Sequence, residues 1–108
     1  MALASNEIRQ QQALAMMHDL DNIINRLNSI KMNLLNSTTD LLNFASSLDP
    51  DSPEMKKLEA RRQQLVAYEK KIDADIQSYQ NRRQKAEHMH KDATEKVGKA
   101  IERMYSGK

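Results

Sequence analysis

The stretch 46-SSLDPDSPEMKKLE-59 holds both prolines of the chain and lies almost at its midpoint. A residue that precedes proline is pushed out of the helical region of backbone space. Asp49 is therefore expected to end a helix, and Ser52 to stand just outside the next one. Ser52 followed by Pro53 has the form of a helix N-cap with proline at the first helical position, where a missing N–H costs nothing. Glu54 then falls in the first turn, where a negative charge suits the helix dipole. Asp49, Pro50, Ser52 and Pro53 thus read as the turn of a helical hairpin, and a four-residue connection is of the length that joins antiparallel neighbours.

The sequence on either side has helical periodicity. From residue 13 to 48 one register reads Ala13, Leu20, Leu27, Leu34, Leu41, Leu48, and a second, three residues on, reads Met16, Ile23, Ile30, Ser37, Phe44. A 3.5-residue apolar repeat sustained over five heptads belongs to a helix that winds against a partner. After the turn, Leu58, Leu65, Ile72, Tyr79, Ala86, Ala93 and Ala100 share one heptad position. Tyr68, Ile76, Met89, Val97 and Met104 flank them, interrupted by Arg61, Asp75, Arg82 and Lys96. The fold class expected is all-α: a long antiparallel two-helix hairpin of the coiled-coil type, a single domain over 1–108, with helix one about 5–48, the turn at 49–52 and helix two about 53–105. Pairing about this turn brings Leu41 opposite Leu65 or Arg62, Leu27 opposite Ile76, and Ala13 opposite Met89 or His90. The alanines predict the tightest approach at the end away from the turn.

Composition narrows the function. One Phe, three Tyr and no Trp in 108 residues give little with which to fill a compact core, and the absence of cysteine removes disulfides and thiol chemistry. A formal net charge of +2 names no polyanionic partner, although the halves differ. Residues 1–53 carry three basic against six acidic side chains, and residues 54–108 fourteen against nine. No run approaches the ~18 apolar residues of a membrane helix, so membrane insertion is not expected. The start, MALASNEIRQQQ, lacks the basic-then-apolar pattern of a cleaved signal peptide. The expected location is the cytoplasm as synthesised, with export lacking a cleaved signal left open.

Chemistry finds no foothold. His88 and His90 point to different sides of a helix, and Glu87 with His90 has the Glu-x-x-His spacing of di-metal bundles. That site also requires a facing Glu, where this chain offers Gln11, Gln12 and Ala13. No nucleophile-base arrangement or phosphate loop is present, so the chain is read as non-enzymatic and without a cofactor. Nucleic-acid binding would rest on Arg61–Arg62 and Arg82–Arg83, which share a face three heptads apart, but acids dilute that face and no aromatic platform accompanies it.

What remains is packing. Beyond its seam, helix one carries Leu14, Met17, Ile24, Leu35 and Leu42, more apolar surface than one partner helix covers. These five are the expected assembly interface, covered by further copies of the chain or by a helical protein partner. Asn22, Asn25, Asn28, Ser29, Asn33, Asn36 and Asn43 clothe the rest of that helix in uncharged polar groups.

The plan of helix, DPDSP turn and helix resembles that of type III secretion needle subunits. Pro50 and Pro53 fill the proline-bounded loop, and Met55, Leu58, Leu65 and Tyr68 follow it on the second helix as Leu and Tyr do in those proteins. The Asn, Ser and Gln content is similar to that of flagellar axial proteins. The resemblance implies a subunit exported unfolded that polymerises into a hollow helical filament. The tail DATEKVGKAIERMYSGK is charged and basic where needle subunits end in an apolar segment. In size and charge the chain also resembles the small helical chaperones of the same export systems, which gives a cytosolic chaperone or adaptor as the alternative.

Overall fold

A computed structural model describes residues 2–107, with side chains from residue 4 onward. The chain is all-α: α1 spans Ala2–Ala45 and α2 spans Pro53–Ser106, packed antiparallel. The connection is built as the sequence predicts on its α2 side. Ser52 Oγ accepts from the Met55 N–H at 3.2 Å, the N-cap bond to the third helical residue, and donates to the Asp49 carbonyl at 2.8 Å. The Asp51 N–H donates to Asp49 Oδ1 at 3.1 Å, an Asx turn that rounds the corner without glycine or any positive-φ residue. Ser52→Ala removes the cap and is expected to cost about 1 kcal/mol, read as a lower thermal midpoint with unchanged helical content.

On the α1 side the helix stops three residues earlier than expected, at Ala45 rather than Leu48. Two serines account for this. Ser46 Oγ donates to the Asn43 carbonyl at 2.6 Å and Ser47 Oγ to the Phe44 carbonyl at 2.7 Å. The Ser47 and Leu48 N–H groups then reach carbonyls three residues back rather than four, so the last turn tightens and ends. The connection is therefore 46–52.

The helix pair comprises two compact units, one of Asn25–Gln77 around the turn and one of the residues up to Ile24 with those from Ser78 on. In the turn unit the seam is made by Leu27, Leu34, Leu41 and Leu48 against Leu58, Leu65, Ile72 and Ile76, of which Leu65 and Ile76 are buried. Thr38 Oγ1 lies 3.3 Å from Glu69 Oε1, and Lys31 Nζ 2.7 Å from Asp73 Oδ1; both links cross between the helices. In the terminal unit Ala13 and Ala93 are 0% exposed and Ala86 2%, with Leu20 and Ile24 beside them. The alanines expected at this end of the seam are the most deeply buried side chains of the described residues. Gln10 Nε2 donates to Thr94 Oγ1 at 2.9 Å and Arg83 Nε to Asp21 Oδ1 at 2.6 Å. Eleven residues down α1 thus match eleven back along α2, the equal rise of two antiparallel α-helices. The pairing expected from the turn, Ala13 near His90 and Leu27 near Ile76, is the one these links define.

Candidate assembly surface

One of the two seam registers differs from the sequence reading. The Ala13, Leu20, Leu27 row lies in the seam, but its companion is the row four residues on: Gln10, Met17, Ile24, Lys31, Thr38, Ala45, all buried or half-buried. Met16, Ile30 and Phe44, expected inside, are 47–59% exposed. Met17 and Ile24, expected on the open face, belong to the hairpin's own seam; Ile24 is 9% exposed. Leu14, Leu35 and Leu42 are exposed as expected, at 39–50%. On α2 the same shift puts Arg62, Glu69, Ile76, Arg83, His90 and Val97 beside the Leu58 row and turns Tyr68 outward.

The physical reason is polar pairing. By apolarity alone the Met16 row outranks a row containing Gln10, Lys31 and Thr38. The second row is accommodated because α2 supplies partners for Gln10 and Lys31, at Thr94 and Asp73, while the Thr38 hydroxyl donates to the Leu34 carbonyl of its own helix at 2.9 Å. A polar residue at an inner heptad position fixes register at some cost in stability. Lys31→Leu is accordingly expected to raise stability by about 1 kcal/mol, because Asp73 is half exposed and stays hydrated. A thermal midpoint several degrees higher would show it, and a lower one would show that the ion pair holds the seam.

With the seam placed, α1 shows two apolar flanks at 100° per residue, each roughly 80° from the seam centre. One carries Leu14, Leu35 and Leu42, the other Met16, Ile30 and Phe44. In a two-stranded coil these flanking positions are commonly Glu and Lys. Asp21 and Asn28 interrupt the Leu14 flank, and the Asn and Ser residues at 22, 25, 29, 33, 36 and 43 are exposed on the remainder of the helix.

In the terminal unit the Met16 flank opens into a groove of about 390 Å³. Its floor is Met16, Leu20, Ala86 and Met89, and its rim is Asp19 on α1 with Arg82 and Lys85 on α2. The opposite side of that unit is bridged by Asp21, Arg83 and Glu87. Hydrogen bonding to Asp21, with its charge and that of Glu87, holds the Arg83 guanidinium above its ordinary pKa. Arg62 is likewise committed to Glu59, whose carboxyl it holds below the usual value. One arginine of each pair considered for nucleic acid is thus engaged by a carboxylate of the chain itself.

Among the described residues no group of three His, Cys, Asp or Glu side chains is placed to hold a metal ion. No described helix is long and apolar enough to cross a membrane. Comparison with protein-family models, curated proteins and solved structures finds no match to this chain. The fold and surface define a class: an antiparallel helical hairpin whose first helix is apolar well beyond its own seam.

Proposed function

We propose that this chain is a non-enzymatic structural protein that works by self-assembly, with further copies covering the flanks of α1. The observation that carries this reading is the pair of exposed rows, Leu14, Leu35, Leu42 and Met16, Ile30, Phe44. Full burial of such side chains is worth about 1.5–3 kcal/mol each. Large apolar side chains left exposed on both sides of one helix's seam, Leu35 with Leu42 adjacent and the others one to three heptads apart, are more than that seam covers and mark a candidate interaction surface. Apolar residues on both sides of the seam also suit a helix with more than one neighbour, as in a bundle or filament. The specific form we propose is a filament subunit of the needle or flagellar-axial type. The short proline-bounded turn between two long helices supports it.

The test is solution mass against concentration by light scattering, with electron micrographs of the most concentrated sample. Mass that climbs without limit, with uniform fibres, is the expected result. A fixed dimer or tetramer would retain self-assembly and replace the filament with a closed bundle. A monomer at every concentration would overturn self-assembly in favour of an adaptor or chaperone that covers a helix of another protein.

A further inference from the structure

Charge is segregated along the chain in a way the seam does not use. Between Lys31 and Lys56 there is no basic residue, while Asp40, Asp49, Asp51 and Glu54 are all present. Asp40 and Phe44 stand one helical turn apart on the same side of α1, both exposed, in the turn unit. The groove of the terminal unit has the complementary character. Met16 and Met89 line it, Lys85 and Arg82 stand on its rim, and Asp19 is the rim's one acid. Lys85 has no carboxylate partner among the described residues. Nor does Arg82, whose guanidinium carbon lies 5.1 Å from the centre of the Tyr79 ring.

We propose that the groove receives the Asp40–Phe44 face of a second copy of this chain. The phenyl ring enters between Met16 and Met89, and the Asp40 carboxylate meets Lys85 and Arg82. The ring is the chain's one phenylalanine and is 59% exposed in the single copy. Thioether sulfur beside an aromatic ring is a favourable contact, and methionine's flexible chain adapts to the shape presented to it. Complementary charge around an apolar centre fixes which patch meets which. This contact rests on the self-assembly reading and names the two patches through which assembly runs.

The experiment compares Lys85→Glu, Asp40→Lys and the chain carrying both, each against the unsubstituted protein, by sedimentation velocity over a concentration series. Both substituted side chains, Lys85 and Asp40, are exposed, and far-UV circular dichroism at equal concentration checks that the helices are retained. Each single reversal is expected to weaken association about tenfold, and the double variant to return to within about threefold of the original. Association of the unsubstituted chain is expected to weaken as salt is raised. If that chain associates but the single reversals change nothing, or the double variant does not recover, this contact is wrong and self-assembly stands. If it does not associate at all, the self-assembly reading and this contact fail together.

Discussion

Ile24→Lys is expected to unfold the terminal unit or lower its thermal midpoint by ~15 °C or more, while Leu35→Lys leaves the hairpin nearly as stable as before. The two side chains look alike in sequence, each an aliphatic residue outside the most obvious heptad row. They differ in what surrounds them. Ile24 is 9% exposed, in the seam. By the Asp21–Arg83 register it lies against the turn of α2 that carries Tyr79 and Arg83. A lysine there forfeits the burial of an aliphatic side chain and sets its ammonium against an arginine already bound to Asp21. The loss is about 3–5 kcal/mol, a large part of the stability of a domain this size. At several degrees per kcal/mol the shift is far outside the error of a thermal melt. Leu35 is 39% exposed, and its replacement by lysine loses only a part-buried contact. Both melts belong at one low protein concentration, since assembly would itself stabilise the folded chain. Equal midpoints would mean that the seam runs through the Met16 row after all.

That contrast shows where sequence stops being informative. The helices, their antiparallel sense, the Ser52 cap and the burial of the seam alanines follow from local rules: proline geometry, capping chemistry and a long 3.5-residue repeat. Each depends on a few neighbouring residues, so each is legible in one chain. The end of α1 was legible in principle, because Ser46 and Ser47 are residue types that bond back to helix carbonyls. Pro50, three positions after Ser47, is the stronger local signal and places the expected end later. The second seam row was not legible from α1 alone. The choice between the Met16 row and the Met17 row turns on whether Lys31 and Gln10 find partners, and those partners are 42 and 84 residues away. The exchange leaves three of the five expected interface residues exposed, Leu14, Leu35 and Leu42, and brings Met16, Ile30 and Phe44 out on the other flank.

The double substitution Ile30→Lys with Phe44→Lys then separates folding from assembly. Both side chains belong to the turn unit, and both are about half exposed, 47% and 59%. Neither makes the hairpin's seam, so helical content and thermal midpoint measured on dilute protein are expected to stay within about 1 kcal/mol of the original, the usual effect of a surface change. Assembly should respond very differently. Burying the remaining exposed part of each side chain against another copy contributes about 1 kcal/mol or more. A lysine in its place must either lose its water or hold the surfaces apart. Together the two changes are expected to weaken self-association at least a hundredfold, seen as a light-scattering mass that stays at one chain over the range where the original protein climbs. Leu35→Lys with Leu42→Lys makes the matching test of the other flank, since these two are also half exposed and in the same unit. A chain that must satisfy both flanks in a polymer will lose assembly in either variant. A closed bundle that uses one flank will lose it in one variant and keep it in the other. If both variants assemble as the unsubstituted chain does, the apolar rows of α1 are not the contact surface, and the self-assembly reading loses the observation on which it stands.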